Sequence, residues 1–172
     1  MAQRRERAGV LLMSEMKLIS RELLDSLSAA ARALPRQRKN LNFHQRDDAV
    51  CHRLLNALEP QTYIAPHCHR DESKGESLVI LRGKIGVLIF SDDGKIARKF
   101  ILTPMSDCFG VDISPGTIHS LVALEKDSVF FESKAGPYVP LAANERVDWA
   151  PSEGTDGAAD YLAWMKSQFV LV

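Results

Sequence analysis

Between Ala49 and Tyr138 the apolar residues recur with the two-residue period of β-strands, in short runs separated by turn signals. The runs expected to be strands are Ala49 to Leu58, Thr62 to His69, Glu76 to Leu81, Ile85 to Ser91, Ala97 to Leu102, Cys108 to Ile113, His119 to Ala123 and Ser128 to Lys134. Asp92-Asp93-Gly94-Lys95, Arg82-Gly83-Lys84 and Ser114-Pro115-Gly116 mark tight turns between them. Consecutive short strands of this kind build a closed antiparallel sandwich or jelly roll. Ser77-Leu78-Val79-Ile80-Leu81 is apolar at both parities, which predicts burial on both faces: a barrel interior on one side, and an N-terminal helix or a second subunit on the other.

Two helices flank this region. From Ser20 to Leu34 the residues Leu23, Leu24, Leu27, Ala30, Ala31 and Leu34 keep helical spacing until Pro35 stops it. A second helix over about 156–169 is capped by Asp156 and carries Tyr161, Leu162, Trp164, Met165 and Phe169. Residues 16–172 read as one mainly β domain, with 1–15 as a disordered tail or an over-long gene start, since Met13 and Met16 stand just before the first structured segment.

The charge balance narrows the partners. Twenty-two basic residues meet twenty-two acidic ones, so no long-range positive field gathers nucleic acid or anionic lipid. The basic clusters Arg4, Arg5, Arg7 and Arg36, Arg38, Lys39 are expected as solvated surface. No apolar run reaches the length of a membrane helix. Cys51, Cys68 and Cys108 make neither an even framework nor a C-x-x-C pair, which points to a reducing, cytoplasmic setting and excludes a zinc finger.

His67 and His69 stand two apart, so on one strand both imidazoles project from the same face and reach one ion, while Cys68 points away as a packed small hydrophobe. Glu76 follows at a strand start, and His119 comes after the turn Pro115-Gly116-Thr117-Ile118. Three histidines and one carboxylate suit a divalent metal such as Fe, Zn, Mn or Ni, with positions left open for water or substrate. Arg53, Asn56, Glu132, Lys134 and Tyr138 are candidates for holding an anionic or hydroxylated ligand; an outward-facing strand residue is the competing reading for each, and the preferred one for all but Tyr138.

His67-Cys68-His69, Glu76 and Gly83 resemble the first cupin motif, and Gly110 with Pro115-Gly116-Thr117-Ile118-His119 resembles the second. Two departures stand out. The spacing from His69 to Glu76 is longer than usual, leaving Asp71 or Glu72 as substitute carboxylates, and proline directly precedes Gly116, with Ala123 where asparagine is common. The wider chain, from Met16-Lys17-Leu18-Ile19 through Glu132-Ser133-Lys134-Ala135-Gly136-Pro137-Tyr138 to Trp149-Ala150-Pro151, resembles the WbuC family of cupin-fold metalloproteins found among bacterial O-antigen genes. The resemblance implies a cupin jelly-roll barrel, one divalent metal on His67, His69, Glu76 and His119, and a small-molecule ligand such as a sugar or sugar nucleotide. It leaves open a metal-dependent isomerase, epimerase or oxygenase, or else a ligand-binding or regulatory cupin. A homodimer is expected.

Overall fold

A computed structural model of the chain describes residues 16–170, so the tail expected over 1–15 lies outside the described residues. Helix α1 spans Arg21–Arg32; the Ser20 hydroxyl caps it by accepting from the Leu23 amide at 3.2 Å, and Glu22 and Arg32 complement its dipole. It ends before Leu34, because the residue preceding Pro35 is sterically driven out of the helical region.

The strands are β1 Arg38–Asn42, β2 Cys51–Leu58, β3 Glu76–Arg82, β4 Ile85–Phe90, β5 Ile96–Leu102, β6 Gly110–Ile113, β7 Ile118–Ala123 and β8 Ser128–Ala135, and helix α2 is Ala158–Ser167. They form two antiparallel sheets, of order β1-β2-β8-β3-β6 and β5-β4-β7. The closed barrel expected from the strand count is therefore an open pair of facing sheets among the described residues. Leu58, Leu78, Ile80, Ile113 and Phe130 of the larger sheet meet Ile85, Val87, Leu102, Leu121 and Ala123 of the smaller one to make the central core.

Each sheet has a helix on its outer face. Leu24, Leu27 and Ala31 of α1 pack on Leu55, Ala57 and Val129, each buried leucine contributing about 1.5–3 kcal/mol. Arg82 fastens that helix through Nη2, which donates to the Leu24 carbonyl at 2.8 Å and the Ser28 hydroxyl at 2.6 Å. Leu162 and Met165 of α2 pack on Leu88, Phe90 and Val122, in a cluster that also holds the buried Cys68. None of the described helices is long and apolar enough to cross a membrane.

Three further expectations are corrected, and one strand is new. Thr62 to His69 is not a strand: Pro66 lacks an amide to give a ladder, and the segment instead makes single bridges from His67 to His119 and Arg146. An unexpected edge strand, β1, pairs with β2 in the register Leu41↔Leu55; having one leucine among polar neighbours, it carries no periodic signal. Val79 stays 39% exposed, because α1 covers β2 and β8 rather than the middle of β3. Helix α2 starts at Ala158 behind Gly157, whose left-handed φ of 85° ends the preceding turn, and Asp156 does not cap it.

Candidate functional site

The inward residues of the facing sheets change character within one step along each strand. On β3 they run Ile80, Leu78, Glu76; on β8 Phe130, Glu132, Lys134; on β2 Leu58, Asn56; on β7 Leu121, His119. The register Glu76↔Lys134, Leu78↔Glu132 and Ile80↔Phe130 aligns these changes across the sheet. The interior is therefore apolar at one end and polar at the other, and the polar end opens into a cavity of about 520 Å³.

Three imidazoles gather at this end, with ring centroids 5.4 Å apart for His67 and His69, 4.7 Å for His67 and His119, and 6.3 Å for His69 and His119. Backbone bonds from the His67 amide to the His119 carbonyl (3.1 Å) and back (2.8 Å) hold the loop histidine against β7. His67 Nδ1 lies 2.9 Å from the Ala65 carbonyl and His119 Nδ1 lies 2.9 Å from the Thr117 carbonyl. A carbonyl only accepts, so both Nδ1 atoms carry a proton, and each ring turns its Nε2 inward. Burial, then the nearby His119, pulls the His67 pKa down to about 4, which keeps that ring neutral.

Glu76 is the carboxylate that meets the histidines. Its Oε1 is 2.9 Å from His69 Nε2 and its Oε2 is 3.4 Å from His119 Nε2, whereas the Asp71 carboxylate is spent on the Ser73 amide (2.9 Å) and hydroxyl (2.7 Å), and Glu72 is exposed. Burial opposes its charge, but His119, His69 and Lys134 together hold Glu76 well below the usual carboxylate range. The buried Nε2 of His69 has no aligned hydrogen bond despite its closeness to Glu76. Among the described residues, no group of three or more His, Cys, Asp or Glu side chains stands ready-arranged to hold a metal ion.

Of the expected pocket residues, Asn56, Glu132 and Lys134 line the cavity. Lys134 Nζ donates to Glu76 Oε1 at 2.8 Å and lies 2.7 Å from Glu132 Oε1, while Asn56 Nδ2 donates to Glu132 Oε2 at 2.7 Å. Burial disfavours the ammonium, but Glu132 and Glu76 outweigh it, so Lys134 is held above its ordinary range and stays charged. Arg53 is on the opposite face: its neighbours at the same parity, Leu55 and Ala57, face α1. Tyr138 is 60% exposed and borders a neighbouring cavity of about 460 Å³ that also touches His67, His69 and Lys134.

Sequence reasoning missed the cavity mouth. Arg36, Arg38 and Lys39, expected as solvated surface, line the central cavity, because β1 turns their segment along its rim. The signal available was the cluster of three cations itself; its placement depends on the pairing of β1 with β2.

A family model described as a domain of unknown function (DUF6016) matches residues 19–102. No curated protein matches the chain. Among solved structures, the capsular polysaccharide assembling protein CapF from Staphylococcus aureus is similar at 16% identity and a TM-score of 0.50, over 63% of this chain and 29% of that one. KdgF from a Halomonas species shares 18% identity over 62% of this chain and 85% of its own, with a TM-score of 0.48. A cupin superfamily protein from Desulfitobacterium hafniense shares 13% over 63% and 86%, with a TM-score of 0.47. The likeness is one of fold alone, and this chain's share of it is mainly β: two facing antiparallel sheets with a helix outside each.

Proposed function

We propose that this chain is a metal-binding cupin whose cavity takes a small polar metabolite, of the sugar or sugar-nucleotide class, in bacterial surface-polysaccharide synthesis. The observation that carries the metal reading is the convergence of three imidazoles and one carboxylate. With both Nδ1 protons committed outward, the Nε2 of His119 faces the Glu76 carboxylate at 3.4 Å across a buried space, and the His69 Nε2 is orphaned beside it. Imidazole nitrogens and a carboxylate converging on one buried space are the donor set of a divalent cation, which His67, His69, Glu76 and His119 would hold between them. The same backbone-fixed tautomers are what metal-bound histidines require. When bound, such an ion supplies Lewis acidity toward a carbonyl or hydroxyl oxygen of the ligand.

The chain's own residues do the rest. Lys134 stays an ammonium between two carboxylates, so it stabilises negative charge and is not a base. Glu132, held by Asn56, presents an acceptor for a ligand hydroxyl. The apolar floor of Leu58, Leu78, Leu121 and Phe130 excludes water below the reacting end. The polysaccharide context rests on the resemblance to the WbuC family.

Elemental analysis of untagged protein purified without added metal tests the reading, beside a His67→Ala/His119→Ala variant. Near one equivalent of a single divalent metal, lost in the variant, is expected. No metal in the unaltered chain, even after anaerobic reloading, overturns it. A sugar-nucleotide panel then separates turnover from binding: a ligand recovered intact from the metal-loaded protein marks a binding cupin.

A further inference from the structure

Beside the central cavity lies a smaller one of about 320 Å³, and Arg36, Arg38 and His67 belong to the walls of both. Three arginines, Arg36, Arg38 and Arg146, line this smaller space, and among the described residues its single carboxylate is Glu153. Arg36 grips that carboxylate with two parallel bonds, Nε to Oε1 at 2.7 Å and Nη2 to Oε2 at 2.6 Å, and Arg38 Nη2 adds a third at 2.8 Å. Arg38 does not depend on Glu153 for its position: its Nη1 donates to the Tyr63 carbonyl at 2.8 Å, and its side chain is 22% exposed. The loop carrying Glu153 is fixed at its base, where the Tyr63 hydroxyl donates to the Pro151 carbonyl at 2.7 Å. Beyond that anchor it runs through Gly154 and Gly157, both at positive φ, with its outer residues exposed.

We propose that Arg36 and Arg38 form an anion clamp at the cavity mouth, and that Glu153 fills it as an internal competitor for a phosphate or carboxylate group of the ligand. The assignment rests on the cavity being a ligand site, and it narrows that ligand to an anionic one. A fork of two parallel N–H donors is the geometry that recognises carboxylate and phosphate alike, and an ammonium would not reproduce it. One carboxylate against three guanidiniums leaves positive charge uncompensated, which an incoming anion of higher charge exploits. A ligand held there by its anionic end reaches past His67 toward Glu132 and Lys134 with its hydroxyls, since one cavity wall carries all of these groups. Glu153 thereby sets a threshold: only an anion that outcompetes a tethered carboxylate opens the clamp.

Calorimetric titration of the full chain with inorganic pyrophosphate and with citrate, in metal-free buffer at fixed ionic strength, tests this. Glu153→Gln is expected to bind one of the two about tenfold tighter than the unaltered chain. Preference for pyrophosphate identifies a phosphate ligand, and preference for citrate a carboxylate. Arg36→Gln/Arg38→Gln should abolish binding, and Arg36→Lys/Arg38→Lys, which keeps the charge and loses the fork, should weaken it about tenfold. Unchanged affinity in Glu153→Gln, or full affinity in the lysine pair, overturns the clamp and leaves an ordinary surface salt bridge. Because the titrations are run without metal, a clamp that works in a chain that takes up no metal refutes the metal reading alone, and a metal-loaded protein with an inert clamp refutes only this one.

Discussion

The two ends of the interior are built from the same strands and obey opposite rules. At the end marked by Ile80, Phe130, Leu58 and Leu121, burial is apolar and non-directional, and any well-packed set of similar volume would serve. One step along the same strands, Glu76, Glu132 and His119 are as deeply placed and Asn56 and Lys134 half-buried, and each lies 2.7–3.4 Å from a named partner. The contrast teaches where the chain spends stability and where it gains it. Two carboxylates and one ammonium out of water are costly unless mutually satisfied, so the polar end persists on the strength of the apolar one.

That contrast can be broken from either side. Phe130→Ala opens a void in the apolar floor and should cost about 3–5 kcal/mol in urea denaturation, while leaving any metal content unchanged. Lys134→Met strands Glu76 and Glu132 without their shared cation and should cost about 3 kcal/mol. Adding Glu132→Met to it should recover most of that loss, because a pair removed together leaves less uncompensated charge than one removed alone; a double variant no more stable than the single would dissolve the distinction between the ends. The smallest effect belongs to Glu59, a carboxylate just past the apolar end of β2, with Arg32 Nη1 at 3.7 Å and no buried ammonium. Burial raises its pKa, against weaker pulls from Arg32, Lys126 and Arg82. The folded state therefore binds this proton more tightly than the unfolded one, and the charged group subtracts from stability above its folded pKa. Glu59→Gln should raise the unfolding midpoint slightly at pH 7, and the gain should vanish as the pH falls toward about 4.

How much of this the sequence disclosed follows from what each feature depends on. The strands β2 to β8 were legible because they alternate or run apolar within their own length. Strand β1 was not, since Asn40, Leu41 and Asn42 acquire their state only by pairing with Asn56, Leu55 and Leu54. His67, His69, Glu76 and His119 were singled out by residue type and spacing, yet the stated reason for the first two failed: a loop pinned by single bridges, not a shared strand face, brings them together. Asn56, Glu132 and Lys134 were separable from Arg53 by parity alone, given that Leu55 and Ala57 mark the helix-facing side. The contact of Arg36 and Arg38 with Glu153 was not legible, because that carboxylate lies 117 and 115 positions away.

The alternation along β8 also fixes where the chain can change length. Losing one residue there would deliver Phe131 and Ser133 to the cavity and turn Glu132 and Lys134 to the outer face of the sheet, stripping the cavity wall of its charge. The hairpin at Asp92 to Lys95 and the stretch 103–109 lie outside both central cavity and helix interfaces. Natural variants of this chain should therefore gain and lose residues at those turns and never within β3 or β8, so that gaps in an aligned set of them would trace the cavity wall by avoiding it.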